Sequence, residues 1–306
     1  MKVECRDDLH EPPKIYRYGE EKVQRNKPLQ EARITAELTQ VKELVKLFKE
    51  GHSLFGKDIH SLTATNMFKI IKADDTFICD KKLNKKERNI AKAMLFKILF
   101  GGSEFTVAQD LGVSLDEGKI FFKAFFDGYK GLEKNFTDTK NLALKRGWFE
   151  IDPLYKKRYF FPYFNRMKEL EERAWTYYPE DYRKMSKEEK EEVKAALKIN
   201  SPELSLIWKE FMTLKGKLER RALNFRIQGF AATMSKVAAI LIDDNNRSLK
   251  FGLLLAVHDE FVEEYIESIA EEKSALTVEY MRESGRKMCK EVPMDADTAV
   301  GDYWIH

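Results

Sequence analysis

Cysteine is scarce in this chain: Cys5, Cys79 and Cys289 stand far apart, with no C-x-x-C pair. Such a sparse, odd set argues against a disulfide framework and a cysteine-built zinc site, and points to a reducing compartment. No uninterrupted apolar run reaches the ~18 residues that suggest a membrane span, so the sequence predicts none. The opening MKVECRDDLHEPPK lacks an apolar segment after a basic one and does not read as a secretory signal. Internal repeats and low-complexity tracts are missing too. Charge of one sign is not in excess either. The 54 Lys and Arg against 51 Asp and Glu give +3, which by itself makes no case for a nucleic-acid partner.

What is present is ordinary in amount and uneven in placement. A 43% hydrophobic and 34% charged composition suits a soluble, helix-rich enzyme, and 306 residues suffice for one large domain or two modest ones. Between Lys81 and Lys97 seven basic residues (Lys81, Lys82, Lys85, Lys86, Arg88, Lys92, Lys97) face one acidic residue, Glu87. That concentration could hold polyphosphate, and it equally fits a solvated helix start.

Periodicity predicts helices over 29–49, 62–72, 86–100, 103–112 and 114–146, the last broken near Gly128–Gly131. Aromatic and β-branched residues around Asp152-Pro153 predict a hairpin in 147–162. A charged helical stretch follows over 163–213, with Ser186 and Glu189 set as a capping box. Then come a helix from Leu214 to Ile242, a second hairpin over 251–265, a helix over 266–290 and a short closing edge strand. Helical runs with a few hairpins define an α+β fold.

Three groups of residues carry chemistry. Arg88, Lys92, Phe96 and Phe100 recur every four residues, which places them on one drifting stripe of a helix. Two cations a turn apart can clamp a triphosphate, and a ring one turn on can pack against a sugar and base. Arg220, Asn224 and Gln228 form a second stripe of long polar side chains suited to a nucleic-acid backbone or groove edge. Either stripe alone also fits the wet face of an amphipathic helix. Val257-His258-Asp259-Glu260 brings two carboxylates to a tight turn, and Mg²⁺ favours one or two carboxylates plus substrate phosphates. An acidic hairpin turn of no special role has the same pattern.

Taken in order, these pieces resemble family A DNA polymerases. Arg88-x3-Lys92-x3-Phe96-x3-Phe100-Gly101 is similar to the family's fingers-helix motif, with Phe100 at a position usually Tyr. Val257-His258-Asp259-Glu260 resembles the palm motif, Asp58-Ile59-His60-x2-Thr63-Ala64 the segment before the fingers, and Glu219-Arg220-x3-Asn224-x3-Gln228-Gly229-x-Ala231-Ala232 the primer-contacting helix. The tail Gly301-Asp302-Tyr303-Trp304 resembles the family's closing G-x-x-W. The resemblance covers roughly residues 29–306.

It implies an α+β polymerase palm, a small antiparallel sheet, with helical fingers, and with thumb and exonuclease absent. The expected divisions are a leader over 1–28, a partial palm over 29–64, fingers with a β-hairpin over 65–162, a charged helical insertion over 163–213, and palm again over 214–306. Arg88, Lys92 and His60 would hold the phosphates of an incoming deoxynucleoside triphosphate. Phe96 would pack on its sugar, Phe100 would sit at the templating end, and Glu31 would crowd a ribose 2′-hydroxyl. Arg220, Asn224, Gln228 and His258 would contact primer–template DNA. Asp259 would bind Mg²⁺ in a two-metal site, with Glu260 in support. The reaction implied is attack of a primer 3′-hydroxyl on the α-phosphate, in a cytoplasmic enzyme of a bacterial cell or phage-infected host.

The pattern departs at one end. The family's first palm motif supplies the other aspartate from a buried strand, yet alignment on Glu31-Ala32-Arg33-Ile34 puts Asn26 at that position. The stretch EEKVQR is polar, and Lys27 and Pro28 disfavour a central strand. These features predict a palm without its central strand, exposed sheet edges, and a complementary polypeptide carrying thumb and first aspartate. The alternative is a catalytically inactive remnant that binds nucleotide or DNA.

Overall fold

The computed structural model describes residues 13–18 as backbone, and 30–49, 59–246, 252–257 and 259–300 in full. The elements run β1 (Pro13–Tyr18), α1 (Gln30–Thr39), α2 (Lys42–Lys49), α3 (Ile59–Lys72), α4 (Lys85–Leu99), α5 (Glu104–Leu111), α6 (Leu115–Gly128) and α7 (Leu132–Arg146). They continue with β2 (Trp148–Glu150), β3 (Arg158–Phe160), α8 (Phe164–Trp175), α9 (Lys187–Asn200), α10 (Pro202–Asn246), β4 (Gly252–Val257), β5 (Glu260–Glu264), α11 (Glu267–Met288) and β6 (Ala296–Ala299).

Local chemistry explains most boundaries. Ser114 with Glu117 and Ser186 with Glu189 form reciprocal capping boxes that start α6 and α9. Asp80 accepts the N–H groups of Lys82 and Leu83, which winds the turn into α4. Gly147, with φ 74, ends α7, where a left-handed residue closes a helix at least cost. The helix expected over 29–49 is two. Gln40 takes φ 54 between α1 and α2, at a point with neither Gly nor Pro to mark it.

The long helix also differs from expectation. It begins at Pro202, inside the stretch assigned to the insertion, and runs 45 residues, roughly 65 Å at ~1.5 Å per residue. Proline at a first helical position needs no N–H partner, so the start is locally sound. Its N-terminal half (Leu204, Ile207, Phe211, Leu218, Ala222) packs with α8 and the β2–β3 ribbon. Its C-terminal half (Leu223, Ile227, Phe230, Met234, Ile242) packs with α1, α3, α4, α6 and α11. Two cores therefore share one spine, and the register of α10 sets their relation. By length and average hydropathy α10 contains a window that matches a bilayer span, although many of its apolar residues feed these two cores.

The larger sheet has strand order β4-β5-β1-β6, antiparallel throughout. Pro13–Tyr18 lies in the stretch read as a leader, yet here it is an interior strand between β5 and β6. The expectation of a sheet lacking its central strand is thus corrected. The polar stretch that argued against a strand lies downstream of the residues that form it, PKIYRY. Among the described residues the outer strands are β4 and β6, the latter the short edge strand foreseen near the C-terminus.

Candidate functional site

On α4 the residues Ala91, Met94, Leu95, Ile98 and Leu99 are buried, while Arg88, Lys92, Phe96 and Phe100 are all half-buried. The stripe thus flanks the buried face of α4, neither within the core nor fully exposed. Glu87, the acidic residue inside the basic run, is engaged with Lys72 of α3 at 2.9 Å. The Lys72 hydrogen bond holds the Glu87 carboxyl below its ordinary range.

His60 opens α3 and is buried, with its ring 5.7 Å from that of Phe96. The two motif residues, 36 positions apart in sequence, are thus neighbours in space. A buried bond between the Thr63 and Tyr129 hydroxyls at 2.6 Å adds to the core packing that holds α3. Burial pushes the Tyr129 phenol far above its usual range, so it stays neutral and remains a donor.

The first stripe ends against the second. Gly101 has φ 80, and a Cβ there would lie 3.3 Å from Arg220 Cα and 3.6 Å from a Leu223 methyl. The end of α4 therefore rests on the backbone of α10 where the second stripe begins. Along α10, Arg220 and Gln228 are exposed, and Asn224 is half-buried with its Oδ1 buried and without a hydrogen-bond partner. An unsatisfied buried carbonyl costs about 1–3 kcal/mol. It is a group prepared for a donor.

Sequence reasoning missed Arg226. It points from α10 the other way and donates to Asn135 Oδ1 (3.0 Å), Thr139 Oγ1 (2.7 Å) and the Leu38 carbonyl (3.1 Å). Burial lowers its pKa, and it ties α10 to α7 and α1. A charged residue amid Leu223, Ile227 and Phe230 was the available signal.

Glu31 lies half-buried in the first turn of α1, beside buried Gln30. Helix α1 is pinned to the segment before β6. Arg33 Nη1 donates to the Pro293 carbonyl (2.7 Å), and the Glu37 carboxylate accepts the N–H groups of Lys290, Glu291 and Val292 at 2.9, 3.0 and 2.8 Å.

The acidic turn joins β4 to β5, with Val257 paired across to Glu260. Asp259 is half-buried in the turn and Glu260 is buried at the start of β5. Strand β1 runs toward this end of the sheet, since Arg17 is opposite Glu260. Phe261, next along, belongs to the same core as Met94, Leu95 and Ile98 of α4, so the turn and α4 are built on one continuous interior. Deeper in β5, fully buried Glu263 accepts from Thr277 Oγ1 (2.8 Å) and the Tyr265 hydroxyl (3.1 Å), another feature the sequence did not announce.

Among the described residues no group of three or more His, Cys, Asp and Glu could cage a metal. The donor set at the turn, one half-buried carboxylate beside a buried one, fits the partial ligation that Mg²⁺ takes when phosphates complete its shell. His258, Asp58, Asn26 and the 301–304 tail lie outside the described residues.

A helical body crossed by one long helix and resting on a small antiparallel sheet with an acidic hairpin defines the palm-and-fingers class of α+β proteins. Residues 29–306 match DNA polymerase family A, and the chain belongs to that family. It is 28% identical over 279 residues to DNA polymerase I of Streptococcus pneumoniae, covering 90% of this chain and 25% of that one. To the thermostable DNA polymerase I of Thermus filiformis it is 27% identical over 276 residues, covering 90% and 26%. The chain thus spans about a quarter of the length of these relatives. Its fold is similar to that of the POL domain of Pol1 from M. smegmatis, solved in complex with DNA primer-template and dNTP. The TM-score is 0.65 at 23% identity, over 96% of this chain and 40% of that one.

Proposed function

We propose that the chain carries out template-directed DNA synthesis, transferring a nucleotidyl group from a deoxynucleoside triphosphate to a primer 3′-hydroxyl. The observation that carries the reading is the meeting of the two stripes, His60 against Phe96 and Gly101 against Arg220. A border suited to a triphosphate and one suited to DNA then meet at one junction, and family membership supports that assignment. The similar solved structure is a complex with DNA primer-template and dNTP, which supports this reading.

In this reading Arg88 and Lys92 hold the triphosphate by charge-assisted bonds, with His60 beside them. Phe96 packs on the sugar and Phe100 borders the templating base. Glu31 excludes a 2′-hydroxyl, anchored by the Glu37 and Arg33 clamps on α1. Arg220, Asn224 and Gln228 orient the primer terminus, and the Asn224 carbonyl gains the donor it lacks in the free protein. Asp259 would hold Mg²⁺ and Glu260 would support it. When bound, Mg²⁺ supplies neutralisation of the developing phosphate charge. The chain's own residues then contribute alignment, which is most of what such a reaction needs.

A complementary polypeptide with a thumb and a further carboxylate completes the proposal, in keeping with the lack of a third potential ligand beside the turn among the described residues. A binding-only role is the second reading, and the same observation favours it. Primer extension with Mg²⁺, alone and mixed with such a fragment, decides between them. We expect extension that Asp259→Ala abolishes without changing the melting temperature. Extension that survives Asp259→Ala removes the assigned metal role, and DNA binding with no extension in any mixture leaves the binding-only reading.

A further inference from the structure

The β2–β3 ribbon breaks a rule of sheets. A two-stranded antiparallel ribbon with one face on a core normally turns polar side chains outward. Its inner face is regular. Phe149 and Phe161 are buried, and Tyr159 stacks on Phe225 of α10 with ring centroids 4.2 Å apart at 22°. The outer face carries a cross-strand aromatic pair, Trp148 and Phe160, with ring centroids 6.4 Å apart and Phe160 63% exposed.

Cations surround these rings. Arg158 lies 4.4 Å and Arg146 5.4 Å over Trp148, and at the tip Lys157 lies 5.7 Å from the exposed Tyr155 ring. Lys156, also exposed, is held at φ 52 in the left-handed region, where glycine would be less strained. Of the two carboxylates nearby, Asp152 is buried and accepts the Tyr155 N–H at 2.6 Å, leaving Glu150 opposite Arg158. The outer surface therefore sets two exposed rings, Phe160 and Tyr155, and the half-buried Trp148 among excess positive charge.

The ribbon also borders the second stripe. A Cβ on Gly229, next to Gln228, would lie 3.0 Å from Ile151, and Arg221, next to Arg220, lies 5.7 Å over the exposed Tyr163 ring. The ribbon thus packs on α10 next to Gln228 and within reach of the turn that bears Arg220.

We propose that the outer face of the β2–β3 ribbon binds single-stranded DNA, the unpaired strand ahead of a primer–template duplex. The strand's identity rests on the polymerase reading above, while the binding chemistry rests on the ribbon alone. Rings take stacked bases and the lysines and arginines track phosphates. A duplex hides its base faces, and an acidic protein would use the cations but leave the rings idle.

The test uses the full chain and a fluorescein-labelled oligo-dT of about 20 nucleotides, spanning the site sizes such folds use. Binding is read by anisotropy, and stacking by quenching of tryptophan emission. Phe160→Ala with Arg158→Ala is expected to weaken binding about tenfold or more. Phe160→Tyr keeps affinity because the ring remains. Trp148→Phe keeps affinity but removes the quenching, a signature that misfolding could not give. Unlabelled duplex and polyglutamate should compete poorly. Equal binding by the double variant, or equal competition by polyglutamate or duplex, overturns the proposal. If extension fails while oligo-dT binding follows this pattern, the polymerase reading falls and the ribbon site stands.

Discussion

Replacing Gly101 with alanine probes the contact on which the site's geometry depends. The backbone there has φ 80, and a left-handed conformation costs an L-residue about 1–2 kcal/mol. The new methyl would also lie 3.3 Å from Arg220 Cα, part of a helix buried on both sides of that point. Backbone cannot swing aside as a flexible side chain can, so overpacking adds about 1–3 kcal/mol. Gly112 provides an internal control: its φ is 65, and nothing lies within 4 Å of a Cβ placed there. Alanine at Gly112 meets only the conformational cost. The expected losses are about 1–2 kcal/mol for Gly112→Ala and about 2–5 kcal/mol for Gly101→Ala. Urea denaturation should show both as midpoint shifts at unchanged slope. Incorporation of a single nucleotide should fall only for Gly101→Ala, because only that change separates Phe100 from Arg220. Equal destabilisation by the two substitutions would refute the argument that α4 and α10 meet at backbone distance.

Three other outcomes are expected. Arg226→Ala removes the donor shared by α7, α1 and α10 and should cost about 2–4 kcal/mol in urea, with Arg226→Lys failing to restore it because one ammonium lacks the guanidinium fork. Burial, aided by the Glu37 charge, pushes the Cys289 thiol from 9.0 up to about 12. A raised folded value means the unfolded chain loses this proton first. That share of stability is intact below pH 9.0 and falls by ~1.4 kcal/mol per pH unit toward pH 12, a decline that Cys289→Ala should lack in paired denaturation series. Lys156→Gly should raise stability by about 1 kcal/mol while weakening oligo-dT binding, and a variant that changes both in the same direction contradicts the trade made at φ 52.

Much of the secondary structure was legible because its causes are local. The cap at Ser186, the glycine stop at Gly101 and both hairpins are decided within a few residues. The break at Gln40 was not, since Leu38 and Val41 keep helical phase and only a turned backbone separates α1 from α2. Nor was β1, whose place in the sheet depends on pairing with strands more than 240 residues away. The stripe residues could be named from spacing, yet spacing gave no account of why Arg226 and Glu263 are tolerated inside. Their acceptors and donors come from other helices.

By itself, the sequence determined which side chains share a helix face and which carboxylates reach a turn, because a 3.6-residue period and turn chemistry act at short range. Whether those faces meet was decided by tertiary packing alone. The contact of Gly101 with Arg220 depends on how one long helix sits between two cores, and the nearness of His60 to Phe96 on how α3 packs against α4. Close packing of distant segments fixes such distances, and no residue's neighbours in the chain record them.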